Sequence, residues 1–590
     1  MENTEVAAIL DELADLLEIK GSNPFRIRAY RNAVRTVRGL TRPLSAMVEA
    51  GEDLTELPAV GKDLSAHIVE LIQTGALTRL DEVSAEVPRS LVQLVKLEGV
   101  GPKKAKKLWE SLGVTTIDDL EVALKAGRVE SLEGFAKTSV KKILTSIEDF
   151  RRYSGRFLIS QVDELIGPLL AHMRDAPGAC CVEVAGSYRR RKETIGDVDL
   201  LVHGELPAPE IMDHFTSFGS VKRVVSAGET RGAVVLRSGL EVDLRVIPER
   251  SFGAALHYFT GSKEHNIAVR QIAQRQGLRV NEWGVFRLSD DVDPEDVGKE
   301  DGERVAGETE ASVFEALGMA WVPPVLRENR GEVELARKGP LQDLVSLDDI
   351  QGDLHMHSTW SDGKASVEEM AQACEARGYR YLALSDHSPA LAMVGGITPE
   401  RAADQWEEIA RVQEGLEGIK IFKSLEVDIL RDGTLDMTDE VLEALDLVVV
   451  SVHSLMDMDR VLMTDRVITA MQHPQVDILG HPTGRLLARR EPFQIEMEEV
   501  LQAARDLDVA VEINSNPHRL DLSDVHAHRA KELGVKVSIN TDAHSVQRLD
   551  HMSYGVDQAR RAWLSKGDVL NTMPLEQFQE WLKRREGTTS

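Results

Sequence analysis

Cysteine is scarce in this chain, and the three present exclude a disulfide framework. Cys180 and Cys181 are adjacent and Cys374 stands alone among 590 residues, so a reducing compartment is the natural setting. No cationic-apolar signal stretch opens the sequence, and no run of about 18 apolar residues interrupts it. The expectation is a soluble cytoplasmic protein of about four domains, at ~150 residues each. Net positive charge is missing as well: the sum is −28, which at first sight argues against a nucleic-acid binder.

The distribution of charge reverses that impression. Residues 26–42 carry Arg26, Arg28, Arg31, Arg35, Arg38 and Arg42 with no acid, and residues 88–108 carry Arg89, Lys96, Lys103, Lys104, Lys106 and Lys107 against Glu98. Residues 351–590 hold 25 Lys and Arg against 41 Asp and Glu. Local basic patches can bind phosphates while the remainder stays acidic. Histidine is skewed too, with eleven of seventeen after residue 350, a bias that a solvated surface does not require.

The first ~150 residues read as helical, with amphipathic runs broken by short Gly-containing turns. "LTELPAVGKDLSAHIVELI" (54–72) and "LVKLEGVGPKKAKKLWESL" (94–112) share L-x-x-V-G-x followed by a helix, and "VESLEGFAKTSVKKILTSI" (129–147) is a weaker third copy. Such hairpins present backbone N–H groups at a helix N-terminus, suited to a DNA phosphate whatever the sequence. Val60, Gly61 and Lys62, with Val100, Gly101, Lys103 and Lys104, are the candidate contacts. From about 155 to 250 the pattern changes to β-branched runs ("CCVEVAG", "VDLLVHG", "GAVVLRSG", "EVDLRVIP"), a sheet with flanking helices. "WVPPVLRENRGEVELARKGPLQDL" (321–344) is Pro-rich, charged and non-periodic, and reads as a linker. Beyond it, short apolar strands alternate with helical stretches, the rhythm of a parallel sheet closed into a barrel.

The densest constellation is "AGSYRRRKETIGDVDLLV" (185–202) with "LEVDLRVIP" (240–248). Asp197 and Asp199 stand at i, i+2 and share a strand face, and Asp243 lies on a later strand able to pair beside them. Three converging carboxylates can clamp two hard cations such as Mg²⁺ for an in-line phosphoryl displacement. Gly186 and Ser187 form a small turn suited to a triphosphate, and Arg190 adds charge.

"GSYRRRKETIGDVD", "VDLRVIP" and "YFTGSKEHNIAVR" closely resemble the nucleotidyltransferase core of family X DNA polymerases, the polymerase β class, over residues 1–320. The resemblance implies that Asp197 and Asp199 bind both Mg²⁺ ions, and that Asp243 binds the catalytic one and helps deprotonate the primer 3′-OH. It places Ser187, Arg190 and Gly196 at the triphosphate, and Tyr258, Phe259 and Gly261 under the incoming sugar. Asn266 falls at the minor-groove reader and Arg270 at the residue that checks the template. Where the family has an aspartate near the incoming base, this chain has Lys263. The family's amino-terminal domain can remove a 5′-deoxyribose phosphate with a Schiff-base lysine. The matching position here is His67, with Asp63 nearby and Lys62 displaced. Imidazole cannot form that imine, so the lyase is expected to be absent while Arg26, Arg28 and Tyr30 still receive a 5′-phosphate.

In the last third, His355, His357, Asp362, His387, Glu426, His453, His481, Asp542 and His544 fall at successive strand ends. Imidazole mixed with carboxylate suits Mn, Zn or Fe. Nine ligands suffice for three ions with Glu426 bridging, an arrangement that activates water and neutralises a phosphoester. His473, His518, His526, His528 and His551 read as structural or surface residues. The order H-x-H, D, H, E, H, H, D-x-H resembles the polymerase and histidinol phosphatase (PHP) domain, a distorted (β/α)₇ barrel with a trinuclear Mn²⁺ or Zn²⁺ centre. In bacterial family X polymerases that domain implies a Mn²⁺-dependent 3′–5′ exonuclease, with abasic-site or 3′-phosphate processing as related chemistry.

The expected organisation is multidomain. A helical domain with the first hairpin spans 1–85, and a second helical DNA-binding domain spans 86–152. An α+β palm occupies 153–252, a nascent-base-pair subdomain 253–320, a linker 321–347 and the PHP barrel 348–590. The expected function is short-gap filling in DNA repair, of the base-excision type or in end joining, on gapped or primer–template DNA with dNTPs, by a monomer. The alternatives are a PHP phosphoesterase with a vestigial polymerase and a non-catalytic DNA-end scaffold; the intact carboxylates and the full ligand set argue against both.

Overall fold

The computed structural model describes residues 3–584 apart from 41, 96, 98, 131, 133–134, 136–139, 141, 145, 148–155, 205–207, 289–300, 392–393 and 488–489. Lys96 and Glu98 of the second basic run, much of the third hairpin copy and the expected boundary at 152/153 therefore lie outside the described residues. Two compact units divide the chain, Met1–Phe157 and Leu158–Ser590. Among the described residues no helix is long and apolar enough to cross a membrane.

Among its described residues the first unit is helical as far as its last residue, Phe157, which begins a short strand, in line with its sequence pattern. In Asn3–Lys20 the residues Val6, Leu10, Leu13 and Leu17 recur at helical spacing and are fully buried. The next helix, Pro24–Gly39, starts where Asn23 caps the Phe25 amide and Pro24 occupies the first turn. Both hairpins end in longer helices, Lys62–Thr74 and Pro102–Leu112, each closed by a left-handed glycine, Gly75 and Gly113.

In the second unit, the helix Ile159–Arg174 leads into a five-stranded mixed sheet. Its strands are β1 (Cys181–Val184), β2 (Asp197–His203), β3 (Val221–Ala227), β4 (Arg231–Leu236) and β5 (Glu241–Ile247), in the order β1-β2-β5-β4-β3. Only β2 and β5 pair in parallel. A three-stranded antiparallel sheet follows, β6 (Leu278–Asn281), β7 (Gly284–Arg287) and β8 (Glu303–Ala306).

The stretch expected as a linker, 321–347, is packed rather than free. Val322, Val325, Leu326 and Val333 join Val269 and Phe314 in one buried apolar cluster that also includes Trp563. Arg327 within it is fully buried and pairs with Glu310 at 2.5 Å, which in turn receives both terminal nitrogens of Arg189 at 2.7 and 2.8 Å. Its charged, aperiodic sequence conceals this, because the partners that justify burial are remote in the chain.

Seven parallel strands in sequential order make the carboxy-terminal sheet: β9 (Gly352–Met356), β10 (Tyr381–His387), β11 (Lys420–Asp428), β12 (Leu447–Ser451), β13 (Ile478–Leu479), β14 (Ala510–Asn514) and β15 (Val537–Asn540). A parallel bridge between Met356 and Ala543 brings the first and last strands together, so the sheet nearly closes. Leu354, Tyr381, Phe422 and Val449 pack against Leu570 and Phe578 from the chain's end.

Candidate active sites

In the palm, the β2–β5 register sets Asp199 directly opposite Asp243, and Asp197 opposite Glu241. Burial pushes the Asp199 carboxyl up to about 6, with Asp197 and Asp243 adding to the rise. Burial also raises Asp243, against the pull of Arg245, whose guanidinium lies 4.4 Å from the Phe259 ring centre. Carboxylates that resist ionising together are the arrangement a cation relieves.

The turn beside them begins at Gly186, which sits at φ +65°, and the Ala185 amide donates to the Asp199 carbonyl at 2.9 Å. Ser187 lies in the short helix Gly186–Arg189, and Gly196 immediately precedes β2. Arg190, expected as charge for a triphosphate, is engaged in this structure: its Nε donates to Glu328 at 2.9 Å and its Nη1 to the Thr260 carbonyl at 2.8 Å. Tyr258 and Phe259 end the helix Phe252–Thr260, and Gly261 caps it. Asn266 and Arg270 share the helix Lys263–Arg275, whose N-cap is Ser262. The Asn266 amide is turned inward, donating to the Tyr258 carbonyl at 2.7 Å, and Arg270 Nε donates to the Asn266 carbonyl at 3.2 Å.

All nine strand-end ligands of the barrel converge. Glu426 is their hub: Oε2 lies 3.3, 3.6 and 3.0 Å from nitrogens of His355, His357 and His387, and Oε1 lies 3.2 and 2.9 Å from those of His453 and His481. Asp362 faces His544 at 3.2 Å, and Asp542 faces His357 at 3.1 Å. Potential ligand atoms fall into three groups, each within 4.8 Å: His357, Asp362, His387 and His544; His355, His357 and Asp542; His387, Glu426 and His453. His481 joins through Glu426. Burial would raise Glu426, but His453, His355 and His387 more than offset it and hold the carboxyl well below its usual range.

The fit to bound cations shows in buried ring nitrogens without an aligned hydrogen bond: His357 Nδ1 and His481 Nδ1, and His355 Nε2, His387 Nδ1 and His453 Nδ1, which only approach carboxylate oxygens at 3.3, 3.0 and 3.3 Å. Such atoms are costly unless something else meets them. His481 and Asp542 also hold left-handed backbone, at φ +24° and +51°, strain of a kind that collects at functional sites.

A supporting layer escapes the sequence reading. Glu512 meets His355 Nδ1 at 2.8 Å and accepts from the His481 amide at 2.7 Å and Asn540 Nδ2 at 3.0 Å. Asp428 lies 3.3 Å from His453 Nδ1. Asp386 accepts from the Ser358 amide and hydroxyl at 2.9 and 2.7 Å, from Ser361 at 2.6 Å and from Gln405 at 2.7 Å, fixing the loop between His357 and Asp362. A charged residue inside an otherwise apolar strand, as in "VAVEINS", is the signal that could have found Glu512.

In the amino-terminal unit, Gly61 and Gly101 are the N-caps of the two hairpin helices, and neither helix has a side-chain cap bond, so first-turn amides face outward. Val60 and Val100 are buried beneath them, while Lys62 and Lys103 are exposed. Lys104 turns back to the Gly99 carbonyl at 2.9 Å. The arginine run is less available than its charge suggests: Arg31 is held by Asp11, Asp15 and Glu18, and Arg42 by Glu52 at 2.7 Å. Arg26 and Arg28 remain exposed. Arg26, Tyr30, Lys62, His67 and Arg79 line a cavity of about 760 Å³, in which the Tyr30 hydroxyl meets His67 Nδ1 at 3.0 Å.

Residues 1–77 match the helix-hairpin-helix domain, 91–149 the SAM-like helix-hairpin-helix tandem, 255–328 the DNA polymerase beta thumb and 353–516 the PHP domain. Asp542 and His544 lie beyond the PHP match, yet the fold returns them to its centre. The DNA polymerase/3′-5′ exonuclease PolX of Bacillus subtilis (strain 168) is 38% identical over 588 residues, covering 99% of this chain and all of that protein. DNA polymerase lambda of Rattus norvegicus is 26% identical over 350 residues, 55% of this chain and 56% of the relative. A probable phosphatase of Thermoanaerobacter sp. (strain X514) is 30% identical over 250 residues, 40% of this chain and 95% of the relative.

Proposed function

The chain belongs to the bacterial PolX group of family X DNA polymerases, with helix-hairpin-helix segments, a beta thumb and a carboxy-terminal PHP domain, and we propose that it fills short gaps in DNA under repair and trims 3′ ends at a second site. The reading is carried by two ligand sets in one chain, the Asp197–Asp199–Asp243 carboxylates and the nine barrel residues that include Glu426.

In the palm, Asp197 and Asp199 would hold both Mg²⁺ ions and Asp243 the catalytic one, and the Asp243 carboxylate helps to take the proton from the primer 3′-OH. Ser187, Arg190 and Gly196 hold the triphosphate; Tyr258, Phe259 and Gly261 carry the sugar; Asn266 and Arg270 read the nascent pair. In the barrel, the nine residues, Glu426 and Asp542 among them, would hold the metal ions, and water would hydrolyse the terminal phosphodiester of a DNA 3′ end, with abasic or 3′-phosphate ends as related substrates. Two Mg²⁺ in the palm and up to three Mn²⁺ or Zn²⁺ in the barrel would neutralise phosphate charge and, in the barrel, activate water. The two hairpins grip DNA phosphates without regard to sequence. His67 leaves the amino-terminal cavity able to receive a 5′-phosphate through Arg26 and Tyr30, with the exposed Arg28 outside its lining, but without lyase chemistry. The domain limits follow the sequence reading, with 321–347 a packed connector.

A labelled primer–template assay separates the activities. Asp197→Ala with Asp199→Ala should abolish extension and spare trimming, and His355→Ala with His357→Ala should do the reverse. Mn²⁺-dependent trimming that survives the histidine substitutions would place the nuclease elsewhere.

A further inference from the structure

Within Leu158–Ser590, one buried carboxylate serves two arginines from distant parts of the sequence. Glu328 Oε1 accepts from Arg190 Nε at 2.9 Å and from Arg561 Nη1 at 3.1 Å. Arg190 belongs to the nucleotide turn, and its Nη1 also bonds the Thr260 carbonyl beside the sugar-binding segment. Arg561 ends the barrel helix Met552–Arg561; the same Nη1 donates to the Arg190 carbonyl at 2.7 Å, and its Nη2 donates to Asp524 at 2.7 Å. The side chains of Arg561, Arg190 and Glu328 are 3%, 11% and 12% exposed, so water screens little of this.

The arrangement creates a competition. A triphosphate needs the charge-assisted donors of Arg190, and Glu328 already holds Nε. A carboxylate shared between two guanidiniums grips each less firmly than it would grip one alone, because the second donor withdraws charge and lone pairs from the first. Burial would raise Glu328, but Arg561, Arg190 and Lys192 outweigh it and hold the carboxyl down to about 2. The competitor therefore stays ionised at neutral pH.

We propose that Arg561, supplied by the PHP domain, is a positioning residue for nucleotide binding at the polymerase site. It draws Glu328 away from Arg190 when a nucleoside triphosphate arrives, while its bond to the Arg190 carbonyl keeps the turn in place. The barrel domain is then a working part of the polymerase site as well as a nuclease. Asp524 also pairs with Arg330, at 3.0 Å, so a substitution at Arg561 still leaves it a cationic partner. The inference rests on the reading of Arg190 as a triphosphate ligand.

The full-length protein tests it through the dNTP KM and kcat of primer extension. Arg561→Met should raise KM on the order of tenfold, the scale of one charge-assisted hydrogen bond, with kcat changed less than about twofold. Glu328→Gln should lower KM, and the double variant should return KM toward the starting value; Arg561→Lys should fall between. A seam that is merely structural would make Glu328→Gln raise KM or leave it unchanged, and would make the double variant no better than Arg561→Met; either result overturns the proposal. If Arg561→Met does not fold, judged by lost 3′ trimming, the direction of the Glu328→Gln effect decides alone. Arg190→Ala tests the premise separately: an unchanged dNTP KM there removes the triphosphate assignment itself.

Discussion

A methyl group on Gly186 would sit 2.5 Å from Asp199 Oδ2. The glycine also holds a left-handed backbone at φ +65°, which an L side chain adopts only under strain. Gly186→Ala must therefore push Asp199 off its place opposite Asp243 or open the nucleotide turn. A shift of about 1 Å at reacting groups can cost ~100-fold in rate. Primer extension should fall by about that factor while Mn²⁺-dependent trimming is unchanged. Extension within threefold of the parent would mean that Asp199 has freedom the structure does not show.

Glu512 connects two barrel histidines, meeting His355 Nδ1 and the His481 amide. Holding Nδ1 fixes the ring so that Nε2 points at Glu426, 3.3 Å away. Partners of this kind typically change metal affinity or activity 10–100-fold. Glu512→Ala should lower retained Mn²⁺ after dialysis, and trimming with it, by about that range. Polymerisation should not move; a parallel loss of both activities would indicate misfolding of the unit.

The two candidate clusters were legible in the sequence because each follows a strand's period or a strand's end. D-x-D on a strand and ligands at successive strand ends announce themselves before any fold is known, and the alternation of strand and helix fixed the barrel. Glu328 and Arg327 were not legible. They sit in "WVPPVLRENRG", which lacks a period, and their burial depends on Arg190, Arg561, Glu310 and Arg189 from distant segments. The pairing of Arg31 is hidden for a different reason: Asp11, Asp15 and Glu18, which take up its charge, lie outside the basic run and share one face of the first helix by i, i+4, i+7 spacing.

Glu328 also carries a pH signature. Its ordinary value is 4.5 and its folded value about 2, so the folded state favours the ionised form. That stability is fully present above about pH 4.5 and is lost as pH falls through about 2. The melting temperature of Glu328→Gln should therefore lie below the parent's at pH 6–8, and the gap should close as pH approaches 2. A gap that widens in acid would contradict the ion-pair account. The same substitution is expected to tighten dNTP binding, so stability and nucleotide affinity should move in opposite directions.

His67 decides the fate of the amino-terminal cavity. It faces the Tyr30 hydroxyl at 3.0 Å, within a pocket lined also by Arg26, Lys62 and Arg79. Those cations suit a 5′-phosphate, but imine formation needs a neutral primary amine, which imidazole cannot supply. Burial is the largest influence at this position and favours a neutral amine, as do Arg79 and Arg26, against Glu70 and Asp63, which favour the charged form. Borohydride reduction should thus trap no covalent complex between the parent protein and a 5′-deoxyribose phosphate end, whereas His67→Lys should yield one. If the parent is trapped, Lys62 is the amine in reach, and Lys62→Ala should abolish the adduct. Loss of trapping in that variant would overturn the expected absence of lyase chemistry and assign it to Lys62.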